Sequence, residues 1–134
     1  MPAIALRVPT VAPEQPNLPG GHCYILFPEP TITARELIGE KVRAELRKAR
    51  AGGPHTSSID LLLPEGAHIG TTPLDEQLAV AQACRAFVSG HFLLLCDGRP
   101  LVDLDERLTL TRRTGLVFLC HNLQAAEQRL RDAA

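Results

Sequence analysis

The sequence predicts one α+β domain, and three observations predict it. Strand-like apolar segments stand in both halves of the chain, at Ala3 to Pro9, His22 to Pro28, Phe92 to Cys96 and Leu116 to His121. A capped amphipathic helix follows the second segment. A second amphipathic helix precedes the third. At 134 residues the chain is long enough for one domain to bury a core without disulfide staples.

"AIALRVP" (3–9) alternates weakly and reads as the first strand. "TVAPEQPNLPGG" is dense in Pro and Gly and reads as a loop. "HCYILFP" (22–28) is the second strand, with apolar residues on both faces, so neither face is expected to be fully wet. "ITARELIGEKVRAELRKARAGG" is the strongest local signal. Thr33 is the N-cap and Glu36 stands three residues on, the spacing of a capping box, with Ile32 and Leu37 placed as a hydrophobic staple. Ala34, Leu37, Ile38, Val42, Leu46 and Ala49 form its apolar stripe. Arg47, Lys48 and Arg50 suit the negative C-terminal end, and Gly52–Gly53 stops the helix. Gly39 is the discordant residue, because glycine inside a helix costs about 1 kcal/mol relative to alanine.

"IDLLLP" (59–64) reads as a short strand and "PEG" as a turn. The second helix starts at Thr72 as N-cap, with Pro73 first in the helix. Its apolar face is Leu74, Leu78, Ala81, Cys84 and Val88, with Phe87 at the border, and Gly90 ends it. His91 is a helix-end residue. After the third strand, "DG" marks a tight turn. "RPLVDLDERLTL" is an irregular return, "TRRTG" turns again, and the last strand closes at His121. "LQAAEQRLRDAA" can form a short C-terminal helix.

Hydrophobic residues make up 45% and charged residues 22%, the balance of a soluble globular protein. A net charge of −1 leaves no basic excess for phosphate contacts, which argues against nucleic acid as a partner. No apolar run approaches the ~20 residues of a membrane span, and no signal peptide is expected. Cys23, Cys84, Cys96 and Cys120 each stand in an apolar segment, which suits reduced core thiols in a cytoplasmic protein. Lys41 and Lys48 are the only lysines among fourteen basic residues, so few acceptor amines are present.

The stretches "HCYILFPEPTITARELIGEKVRAELRKA" and "HFLLLCDGRPLVDLDERLTLTRRTGLVFL" resemble the ubiquitin-like β-grasp superfamily. Gly98, Arg99 and Leu101 match its turn after the third strand, Leu104 and Leu110 its return, and Leu116 and Phe118 its closing strand. The closest likeness is to bacterial ubiquitin-like proteins with an insertion between the main helix and the third strand. The resemblance covers about two-thirds of the chain. It implies a single domain over 1–134 with a mixed sheet, one main helix, an insertion at about 54–90 carrying the second helix, and a C-terminal tail at 122–134. Modifiers and sulfur carriers of this superfamily end in Gly-Gly, which is adenylated and transferred. Here the last glycine is Gly115 and the chain ends Arg131–Asp132–Ala133–Ala134, so that chemistry is not the expectation.

Several residues invite chemistry. His22–Cys23 and Cys120–His121 could approach a zinc site if their strands were neighbours, yet adjacent strand residues point to opposite faces and no C-x-x-C spacing is present. Core cysteines with edge histidines account for them more simply. The acids of "DLDE", Asp103, Asp105 and Glu106, lack the glycine and ligand spacing of a calcium loop. No phosphate loop or nucleophile elbow is present, so no catalytic residue, metal or cofactor is expected. What remains is a surface. If Leu94, Cys96, Leu116, Phe118 and Cys120 face inward, then Leu93, Leu95, Val117 and Leu119 face outward. Either the second helix covers that face or a protein partner does. The expectation is a non-catalytic ubiquitin-like adaptor in a bacterial complex, binding through the outer sheet face or the inserted helix. The alternatives are a modifier or sulfur carrier with an atypical C-terminus, and a Cys/His metal-binding protein.

Overall fold

The computed structural model describes residues 3–12, 22–52, 59–63 and 73–120. The Pro- and Gly-rich loop, Thr72, His121 and the C-terminal segment lie outside these residues. The order of elements is β1 (Ile4–Val11), β2 (His22–Phe27), β3 (Thr31–Thr33), α1 (Ala34–Gly52), α2 (Ile59–Leu62), α3 (Pro73–Val88), β4 (Phe92–Cys96), β5 (Arg99–Pro100), β6 (Arg107–Thr109) and β7 (Leu116–Cys120). It is an α+β arrangement with a mixed five-stranded sheet, ordered β2-β1-β7-β4-β5, and a separate two-stranded β3–β6 ribbon.

β1 pairs antiparallel with β2 from Ile4↔Phe27 to Pro9↔His22. It then pairs parallel with β7 at Thr10↔Phe118 and Val11↔Leu119. The first strand therefore runs two residues past Pro9, where the sequence placed its end. Proline lacks an N–H for a ladder. Here it stands where β1 stops pairing with β2 and starts pairing with β7.

The start of α1 is capped as its sequence predicts. The Glu36 amide donates to Thr33 Oγ1 at 3.1 Å and the Thr33 amide donates to Glu36 Oε1 at 3.2 Å. Ile32 and Leu37, the staple pair, are both buried. Two further first-turn amides are satisfied from across the fold. Ala34 N–H donates to the Glu106 carbonyl and Arg35 N–H to the Leu104 carbonyl, each at 2.9 Å. The "DLDE" return is thus part of the helix start. Its acids shape the loop: Asp103 Oδ1 accepts from the Asp105 amide, and Glu106 accepts from Val102 N–H and from Arg99 Nη1 at 2.7 Å. The Arg99 guanidinium and the Val102 amide hold the Glu106 carboxyl below the usual carboxylate range.

Residues 59–62 form one helical turn rather than the expected strand. Ile59 and Leu62 stand three apart and both are buried, which places them on one side of a turn. In a strand they would face opposite ways.

α3 corrects a second expectation. Of the predicted face, only Cys84 is buried, while Leu74, Leu78 and Val88 are exposed. The buried face is Ala79, Ala83, Cys84, Ala86 and Phe87. The reason is the close approach to α1. A Cβ placed on Gly39 would stand 3.6 Å from Val80 Cγ1, so Gly39 and the small alanines let the two helices meet. Arg43 and Arg50 of α1 each reach Glu76 of α3, at 3.3 and 3.6 Å. The end of α3 is a Schellman motif. His91 N–H donates to the Ala86 carbonyl and Gly90 N–H to the Phe87 carbonyl, with Gly90 at φ +81°.

The core lies between α1 and the inner sheet face. Leu6, Val8, Cys23, Ile25, Phe27, Phe92, Leu94, Leu116, Phe118 and Cys120 point into it. Phe87 of α3 joins it through Phe92, with ring centroids 6.0 Å apart, and Phe92 stacks on Phe118 at 5.6 Å. At the other end of β4, Asp97 (φ +51°) and Gly98 (φ +81°) form the predicted tight turn. Asp97 also ties down the following loop, donating N–H to the Gly115 carbonyl and accepting Gly115 N–H at Oδ1, both at 2.7 Å.

Candidate functional site

The four residues singled out as a surface come together. β4 and β7 pair antiparallel with Leu93 opposite Leu119 and Leu95 opposite Val117. Their neighbours Phe92, Leu94, Leu116 and Phe118 are buried, so the four side chains share the opposite, outer face. All four are half-buried. Val11 lies beside Leu119 in register, and Pro100 beside Leu95. Farther across the same face, Tyr24 and Leu26 of β2 are exposed. The result is an apolar cluster across β1, β7 and β4, while Tyr24 and Leu26 lie beside Arg7 and Ala5, toward the other end of β1 from Val11. α3 does not cover it, because α3 packs on α1 and on the inner-face residue Phe92.

A second cluster, absent from the sequence reading, lies beneath the inner face. Lys41 and Glu45 of α1 are both fully buried. Lys41 Nζ donates to the Val8 carbonyl at 2.8 Å and lies 3.4 Å from Cys23 Sγ. The same ammonium stands 3.6 Å from Glu45 Oε1 and 5.5 Å from the centre of the Phe118 ring. Lys48 approaches Glu45 Oε1 at 3.5 Å and donates to the His22 carbonyl at 2.6 Å. Both lysines of the chain therefore belong to one network, buried at Lys41 and partly exposed at Lys48, that fixes α1 to β1 and β2. Burial pushes the Cys23 thiol up despite the nearby ammonium. Burial likewise raises Cys120, to about 12. Both shifts disfavour the thiolate, the form of cysteine that attacks or binds metal.

The signal for it is visible in hindsight. Positions 34, 38, 41 and 45 follow the helical repeat, so the core stripe passes through Lys41 and Glu45. A lysine and a glutamate four apart read as a solvated surface pair, and that reading fails here because the helix is covered on two flanks.

The two His–Cys pairs do not converge. β1 lies between β2 and β7, Cys23 and Cys120 face inward, and His22 lies at the surface against Arg7 and Tyr24. His121 lies outside the described residues. Among the described residues no group of three His, Cys, Asp or Glu side chains could hold a metal. No helix among them is long and apolar enough to cross a membrane. No family model, curated protein or solved structure matches the chain.

Proposed function

We propose that the chain is a ubiquitin-like β-grasp domain that acts as a non-catalytic protein-interaction module, an adaptor in a bacterial complex, docking a protein partner on its outer sheet face. The fold assignment is supported by the strand order β2-β1-β7-β4-β5 with its central parallel β1–β7 pair, by α1 packed across the inner face, and by the Asp97–Gly98 turn leading into the return. The observation that carries the binding surface is the cross-strand clustering of Leu93, Leu95, Val117 and Leu119 beside Val11. A contiguous apolar band on the side away from the main helix is what a docking partner buries.

The test is crosslinked affinity purification of the full chain from its native cells. A specific partner is expected with the wild type. It should fall at least tenfold with Leu119→Glu and with the more exposed Val11→Glu beside it, which is the safer variant for folding. It should persist with Val102→Glu, a substitution at an exposed residue of the return loop. A partner retained by both outer-face variants rejects the surface assignment.

A further inference from the structure

We propose that the exposed face of α3 is a second docking surface, built for an amphipathic helix of a partner protein that carries carboxylates beside its apolar stripe. Leu74, Leu78 and Val88 are 65%, 52% and 70% exposed. With Ala81 and Arg85 they stand at successive spacings of four, three, four and three along the helix, about 20 Å from end to end. This is the spacing by which one helix receives another, side chain into gap. The face has the wrong composition for a merely solvated helix side, because Leu74, Leu78 and Val88 point outward while alanines, Cys84, Phe87 and part of Val80 fill the buried side.

Charge selects the occupant. Alongside the stripe runs a groove of about 590 Å³, floored by Val80, Ala81, Cys84 and Leu104. Arg35 and Arg85 stand on its walls, and no aspartate or glutamate is among the described lining residues. Arg35 meets Asp105 at 3.5 Å, but both side chains are largely exposed and such a pair is weak. An incoming carboxylate can therefore share or take over this guanidinium. A partner helix with flanking lysines would meet two like charges instead. The surface lies on the helix side of the molecule, so it is independent of the outer sheet face.

The probe is a synthetic 18-residue peptide with leucine at both core positions of each heptad and glutamate at the flanking positions, whose like charges oppose its self-pairing. Its twin carries lysine in place of glutamate. Binding to the full chain is followed by calorimetry and by amide shift mapping. The glutamate peptide is expected to bind, with shifts confined to 35, 74–89 and 104, and at least tenfold tighter than its twin. Leu78→Asp or Ala81→Glu should abolish binding, both at exposed positions that leave the core intact. Arg85→Glu should abolish the preference between the peptides, because it leaves one positive and one negative side chain on the groove walls. Leu119→Glu should leave binding unchanged, which separates this surface from the outer face. Absence of binding, equal affinity for both peptides, or shifts mapping to β4 and β7 overturns the proposal. Self-association of the unliganded chain that Leu78→Asp abolishes overturns it in favour of a second copy.

Discussion

Lys41 carries the largest local electrostatic commitment in the chain. Desolvating an ammonium and a carboxylate costs several kcal/mol each, and the return depends on geometry. Here Lys41 finds the Val8 carbonyl, the Cys23 sulfur and the Phe118 ring besides Glu45. The position is thus well solvated by protein. The pair is still expected to favour specificity over stability, because an apolar pair of similar volume fills such a site at little cost. Lys41→Met alone should destabilise the fold by about 3 kcal/mol by leaving buried negative charge less compensated. Lys41→Met combined with Glu45→Leu should return to within about 1 kcal/mol of wild type. Urea unfolding of the wild type, Lys41→Met, Glu45→Leu and the double variant measures this. A double variant as unstable as the sum of the two single ones would mean that Lys41 and Glu45 are not energetically coupled, and would overturn this account of the pair.

Two glycines separate conformational from packing demands at the scale of the helices. Gly90 sits at φ +81° in the α3 cap, and nothing lies within 4 Å of an added Cβ. Gly90→Ala should therefore cost about 1 kcal/mol from backbone strain alone. Gly39 has ordinary helical backbone, and its nearest obstacle is the end of the flexible Arg43 side chain at 3.2 Å. Gly39→Ala should gain up to about 1 kcal/mol of helix propensity, less whatever Arg43 needs to move. Thermal melts with opposite signs are expected, and equal destabilisation would mean that the α1–α3 contact is tighter than the Cβ geometry implies.

The same helices mark the limit of what local sequence reveals. The caps were legible: Thr33–Glu36, Pro73 and Gly90 act within a few residues, and each stands where its chemistry predicts. So was the alternation that puts Leu93 and Leu95 against Leu119 and Val117, because strand periodicity is strict. The orientation of α3 was not. Its large aliphatics outweigh its alanines in any hydrophobic count, but the alanines match Gly39 on a helix that comes before it, and only the tertiary contact decides between the faces. Residues 59–62 failed for a similar reason, since a short apolar run is ambiguous until its burial is known. Lys41 and Glu45 stand on the core side of α1, and nothing local in the sequence marks a charged pair as buried.

At the scale of the molecule, the four thiols couple the fold to alkaline pH. None is in a disulfide, and burial raises Cys23, Cys84, Cys96 and Cys120 above the ordinary thiol value of 9.0. Cys120 is the extreme, at about 12, because the attraction of Lys41 for its thiolate does not offset the loss of solvent. Below about pH 8 a thiol is protonated in both folded and unfolded chains and contributes almost no pH dependence. Between 9 and 12 the unfolded chain releases the Cys120 proton while the folded chain keeps it. The unfolded state then binds fewer protons, so stability falls as pH rises, by about 1.4 kcal/mol per pH unit for each such thiol. Urea unfolding under reducing conditions should accordingly give a nearly flat profile from pH 7 to 8 and a decline that steepens through 9. Cys120→Ala lowers stability at neutral pH by opening a small cavity, but it should reduce the alkaline slope by about one thiol's share. A slope unchanged by that substitution would mean that Cys120 ionises as readily in the folded chain as in the unfolded one, and that the end of β7 is open to water.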